Sequence, residues 1–145
     1  MRRPLVTALV LIAAVSATAG DLEGLTELVH RVDPSVVEIA TISETLADRG
    51  PAVKTRTGGM GSGFLISDDG LIMTAAHVVQ LAEDVAVRWV TGDVSAASVV
   101  SSNPNADVAI IRAESVPESV EPLKLGDSDL AQVGEKVFII GAPLT

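Results

Sequence analysis

The 145-residue chain has no cysteine and no tyrosine; its only aromatic residues are Phe64, Trp89 and Phe138. Each absence excludes something. Without cysteine there is no disulfide framework, no thiolate metal site, no thiol nucleophile and no lipid attachment through an N-terminal thiol. With so few aromatic rings the core must be aliphatic, and the β-branched residues that dominate the apolar content favour strands. The longest apolar run, Leu5 to Val15, falls short of the roughly 20 residues that a spanning helix needs. Positive charge is scarce as well. Ten Lys and Arg stand against 19 Asp and Glu, a net charge of −9 at pH 7, which favours solubility and repels nucleic acid.

The chain opens with Arg2 and Arg3, continues with the apolar run, and reaches the small residues Ala17-Thr18-Ala19. This order matches a secretory signal peptide over residues 1–19 and implies export to a periplasm or the exterior. The remainder is long enough for one domain of about 100 to 150 residues and too short for two.

Asp21 to Val32 carries Leu22, Leu25, Leu28 and Val29 at helical spacing. It reads as an amphipathic helix over residues 20–34, with Asp21 as cap and Pro34 as terminator. Ser35 to Ile42 reads as a strand, and the polar piece from Ser43 to Thr57, broken by Gly50-Pro51, as a loop. GSGFLIS and LIMT flank Asp69-Gly70, a tight-hairpin signal. Ala75 to Gln80 suits a short helical turn. Val85, Val87 and Trp89 then alternate with smaller or polar residues, as a half-buried strand requires. Gly92-Asp93 and Asn103-Pro104-Asn105 mark turns around the strands Val94–Val100 and Val108–Ile111. Gly126 to Gly134 reads as a polar connection and Lys136 to Ile140 as a last strand. Many short strands with turns between them predict an all-β fold, a small antiparallel barrel preceded by one helix.

Two residues draw attention to chemistry. His77 sits in LIMTAAHVV among small and apolar neighbours, where it suits either a packed ring with locally satisfied nitrogens or a reactive one. Asp107 opens DVAIIR, where it suits either a turn residue bonding back to the loop from Asn103 to Ala106 or a carboxylate that needs a partner if its strand is internal. A histidine ring N–H is such a partner. The contact would fix one tautomer and leave the other nitrogen free to accept a proton.

The segment GSGFLISDDGLIMTAAHVV followed thirty residues after His77 by Asp107 in NADVAIIR resembles the first half of a trypsin-like serine protease of the HtrA-like group. The likeness extends to DPSVVEIA before these motifs and to LGDSDLAQVGEKVFIIGAP after them. It implies a first six-stranded β-barrel over residues 35–135 and the start of a second barrel over residues 136–145. It also implies His77 as general base, Asp107 as its orienting carboxylate, unfolded or damaged envelope proteins as polypeptide substrates, and no metal or organic cofactor. The N-terminal helix is expected to contribute to a homo-oligomer.

The resemblance further implies a nucleophilic serine in a G-N-S-G-G type segment downstream, and no such segment occurs in the sequence. Ser62, in Gly61-Ser62-Gly63, lies in a strand and lacks the glycine a nucleophile elbow would need at Met60. Its flanking glycines read as positions of close backbone approach. The chain as given is therefore expected to be an inactive piece of an exported serine endopeptidase, with a non-catalytic secreted barrel or pseudoprotease as the alternative. His30 suits the C-terminal turn of its helix rather than a metal site. Asp68 and Asp69 suit a turn rather than a calcium loop, whose other ligands are missing.

Overall fold

The computed structural model describes residues 19–46 and 54–142. Residues 1–18 of the expected signal peptide and the Gly50-Pro51 break fall outside them, and Ala19 is the first described residue. A helix, α1 (Ala19–Val32), runs into a single 3-10 turn (Asp33–Ser35) with Pro34 in its first turn. Among the described residues helix α1 runs from Ala19, so Asp21 stands within the helix rather than ahead of it. No helix of the described residues is long and apolar enough to cross a membrane.

Six strands follow: β1 (Val36–Leu46), β2 (Lys54–Leu65), β3 (Leu71–Thr74), β4 (Asp84–Arg88), β5 (Val94–Asn103) and β6 (Val108–Ala113), with a one-turn helix α2 (Ala76–Val79) between β3 and β4. All pairings are antiparallel and the sheet closes in the order β1-β2-β3-β6-β5-β4. This is the expected barrel. Closure removes the exposed edges that an open six-stranded sheet would present.

The core follows the period of two. Val37 and Ile39 on β1, Val85 and Val87 on β4, and Ile72 on β3 are buried, with Leu65, Ile111 and Trp89. Apart from Trp89 this cluster is aliphatic, as the composition requires. The Trp89 indole Nε1 is buried without a hydrogen-bond partner among the described residues.

Two expectations need correction. The polar piece after Ile42 is not wholly loop: β1 continues to Leu46 and β2 begins at Lys54, paired through Ser43↔Thr57 and Glu44↔Arg56. Arg56 also reaches Glu44 at 3.6 Å and Asp84 at 3.4 Å. The segment is polar in sequence, so no apolar alternation marks these strand ends. Conversely, residues 136–140 form no strand, and the side chains of Val137 and Ile139 are exposed at 83% and 98%. Strand propensity without a neighbouring ladder leaves that segment irregular.

The Asp69-Gly70 hairpin is present with a longer loop than a two-residue turn. Gly70 N–H donates to Ser67 O at 3.1 Å, Ile66 N–H to Leu71 O at 2.8 Å, and Gly70 alone of the pair has a positive φ of 87°. Arg112 on β6 clamps it, donating to the Asp69 carbonyl at 2.9 Å and to Oδ2 at 2.6 Å. Residues 114–142 form no strand and carry one 3-10 turn (Ser128–Leu130); they are tied to the barrel by Leu123 N–H to Leu65 O at 2.9 Å and Ser35 Oγ to Glu121 O at 2.6 Å.

Candidate active site

The barrel brings the ends of β3 and β6 together. Thr74, the last residue of β3, pairs with Ala109 near the start of β6, so the chain leaving β3 and the chain entering β6 emerge side by side. His77 follows Thr74 by one turn and Asp107 precedes β6 by one residue. Residues far apart in sequence are therefore neighbours because β3 and β6 pair across the β4–β5 insertion.

Helix α2 sets the direction of the imidazole. Ala76 and Val79, three residues apart, lie on one helical face and are buried. His77 lies off that face, and its side chain is 71% exposed. Val78 packs against β2 at Gly61. A Cβ built on Gly61 would fall 2.6 Å from Val78 Cγ2 and 2.7 Å from Cγ1, so only glycine lets α2 lie this close. Gly63 is similarly enclosed, its Cβ position lying 2.8 Å from both Ile39 Cδ1 and Ile72 Cγ2. Both glycines flanking Ser62 are thus sites of close approach.

Asp107 ends the β5–β6 hairpin loop, which closes at the pair Asn103↔Val108. Its carboxylate meets His77 twice. Oδ1 accepts from the His77 main-chain N–H at 3.0 Å, and the ring Nδ1 lies 2.8 Å from Oδ2 and 3.0 Å from Oδ1. The main-chain N–H is available because the first N–H groups of a helical turn have no partner within it. This amide contact foremost, and then the ring contact, holds the Asp107 carboxyl below its ordinary range. The sequence pattern points to the ring partner; the main-chain donor is visible only once α2 is seen to begin at Ala76.

The reason for the pairing differs from the expected one. Asp107 is not driven to a partner by burial, since its side chain is 52% exposed. The turn reading and the partner reading both hold, because Asp107 N–H also donates to Pro104 O at 3.4 Å.

Ser62 is not brought to His77. It lies in β2 opposite Glu38; its Oγ accepts from Ala142 N–H at 3.1 Å and its carbonyl from Thr74 Oγ1 at 2.8 Å. His30 lies exposed in the last turn of α1 and joins no site. Among the described residues no cluster of three or more His, Asp or Glu could hold a metal ion. Asp69 is engaged by the Ser67 hydroxyl and by Arg112, which together lower its carboxyl pKa, so turn chemistry accounts for it.

Two cavities border the pair. One of about 650 Å³ is lined by Phe64, Met73, Leu123, Phe138 and Asp107, and a smaller one of about 330 Å³ by Thr41, Gly59, Val78 and His77. The imidazole is thus held by a carboxylate at Nδ1 and stands exposed between the two cavities.

Comparison with known proteins places this geometry. The family of trypsin-like peptidase domains matches residues 61–145. A probable periplasmic serine endoprotease, DegP-like, of Pseudomonas fluorescens is 32% identical over 96% of this chain and 35% of its own length. Its counterpart in Halomonas elongata is 31% identical over 93% of this chain and 35% of its own. The chain thus spans about a third of these relatives. Among solved structures, the HtrA-type protease AlgW with decapeptide superposes with a TM-score of 0.60 at 23% identity, over 75% of this chain and 38% of that one. A variant of AlgW with decapeptide gives 0.66 at 22% identity, over 75% and 37%.

Proposed function

The chain belongs to the trypsin-like peptidase family, in its HtrA/DegP branch, and on that premise we propose that it supplies the histidine–aspartate half of an exported serine endopeptidase. The observation that carries this reading is the 2.8 Å contact between His77 Nδ1 and Asp107 Oδ2. With the carboxylate accepting at Nδ1, the neutral ring holds its proton there and presents Nε2 as the base. A serine hydroxyl gives its proton to Nε2 as it attacks a peptide carbonyl, and Asp107 stabilises the imidazolium that results. His77 then returns the proton to the leaving amine.

In this reading the nucleophile is not Ser62, whose oxygen is bound by Ala142. Residues 136–145 begin a second barrel, and the 145 residues alone are inactive. The substrates are unfolded or damaged envelope polypeptides, in line with relatives named periplasmic. Residues 1–19 serve as the export leader and α1 as the segment for self-association. No metal or organic cofactor takes part.

The test has two arms. Joined to the second barrel of a DegP-like relative, the chain should hydrolyse unfolded protein, and His77→Ala should abolish that activity. The chain by itself should not react with a fluorophosphonate. Failure of the chimera to cleave while folded would favour a non-catalytic barrel, and stoichiometric labelling of the chain alone would return Ser62 to consideration.

A further inference from the structure

Asp107 stands where hairpin geometry favours glycine. It is the one non-glycine residue among those described with a positive φ, 51°. In that region an L side chain crowds its own carbonyl; aspartate tolerates it better than most residues, and local hydrogen bonds help to hold it there. Packing does not impose it here, since residues 101–108 are exposed throughout. The β5–β6 ladder is itself irregular just before the loop, with a register shift between Val99 and Ser101. Beside the two contacts that His77 makes with the carboxylate, the hydrogen bonds of the loop remain. Asn103 Oδ1 accepts from Asn105 N–H at 3.1 Å and from Ala106 N–H at 3.3 Å, whereas the main-chain bond from Asp107 N–H to Pro104 O is long, at 3.4 Å.

We propose that Asn103 is a positioning residue for the acid–base pair: its amide oxygen fixes the turn that holds Asp107 in the left-handed region with its carboxylate on His77. Asn103 acts through the two main-chain N–H groups that its Oδ1 accepts from, those of Asn105 and Ala106. The side-chain oxygen reaches both because it lies on the residue that opens the loop, a geometry open to asparagine and aspartate. The inference rests on the assignment of His77 and Asp107 as the acid–base pair.

The experiment uses the whole chain and reads the pair directly by NMR. Carbon-13 spectra give the titration of the Asp107 carboxyl, and the His77 main-chain amide, bonded to Oδ1, reports the same event. His77 is the side chain whose charge bears on Asp107. In Asn103→Ala the Asp107 midpoint should rise towards the ordinary carboxylate value, and the His77 amide should lose most of its response to that titration. Asn103→Asp keeps an acceptor oxygen in place and should retain the His77 amide response, its added charge acting on the midpoint alone. Should the alanine variant lose the β5–β6 amide pattern, Asn103→Gln, whose oxygen is displaced by one bond, replaces it and should behave as described for alanine. A folded alanine or glutamine variant with the wild-type midpoint and amide response overturns the proposal, as does loss of the His77 amide response in Asn103→Asp. Absence of the coupled titration in the wild type would instead overturn the assignment of the pair itself.

Discussion

A methyl group on Gly61 would lie 2.6 Å from the Cγ2 of Val78. Val78 follows His77, so the spacing between β2 and α2 governs where the imidazole stands. Gly61→Ala should therefore force α2 outward. The expected cost is about 1–3 kcal/mol, as for other overpacked sites, read as a lower urea midpoint with unchanged slope. The His77–Asp107 contact should loosen with it. Val78→Ala removes both crowded methyl groups, so the double variant should recover much of the loss, and a double-mutant cycle measures the coupling.

The acid limb of stability should carry the signature of two carboxylates. Asp107 and Asp69 are both held below their ordinary value of 3.8 in the folded chain, the first chiefly by the His77 amide and the second chiefly by the Ser67 hydroxyl. A lowered folded-state pKa means that the unfolded chain binds the proton first. Each contribution is therefore fully present above that ordinary value and is lost as the pH falls through the lower folded-state values. Urea unfolding measured from pH 6 down to pH 2 should show stability falling in the acid limb. Asp69→Asn and Asp107→Asn should each flatten that fall.

The barrel centre should behave as a close-packed aliphatic core. Ile72 and Ile111 pair across β3 and β6 and are fully buried. Ile111→Ala should cost about 2–5 kcal/mol, an effect large enough to unfold a marginal domain. Val137→Ala, at an exposed position outside any strand, should stay within about 0.5 kcal/mol in the same chain.

These residues also show what a sequence can carry. The β3 turn, the alternation of Val85, Val87 and Trp89, and the helical turn holding His77 were legible because each repeats a local rule: a glycine turn, a period of two, a pair of buried residues three apart. The His77–Asp107 pair was legible as a chemical motif. The ribbon formed by Ser43 to Leu46 and Lys54 to Thr57 was not, because its sequence is polar and shows no apolar period. KVFII misled in the opposite sense: its residues suit a strand, but pairing depends on a neighbour that local propensity does not supply. The double grip on Asp107 was hidden as well, since one of its donors is a main-chain N–H that any residue at position 77 could provide.

In the chimera with a relative's second barrel, Asp107→Asn should leave the fold intact, because asparagine also tolerates the left-handed backbone. The rate should still fall by roughly four orders of magnitude, because the amide no longer imposes the catalytic tautomer on the ring. Ser62→Ala should leave the same rate within about a factor of two, because that hydroxyl serves the Ala142 main chain and lies outside the chemistry. Steady-state hydrolysis of an unfolded substrate by the chimera checks both.

The most direct test of the account is the tautomer of His77 in the chain itself. Long-range nitrogen-15 spectra of the neutral ring distinguish a proton on Nδ1 from one on Nε2. With Nδ1 held 2.8 Å from Asp107 Oδ2, the proton should reside on Nδ1, leaving Nε2 free as acceptor, and Asp107→Asn should redistribute it. A His77 ring protonated on Nε2 in the wild-type chain, or one indifferent to Asp107→Asn, would contradict the assignment of this pair as the general base of a serine peptidase.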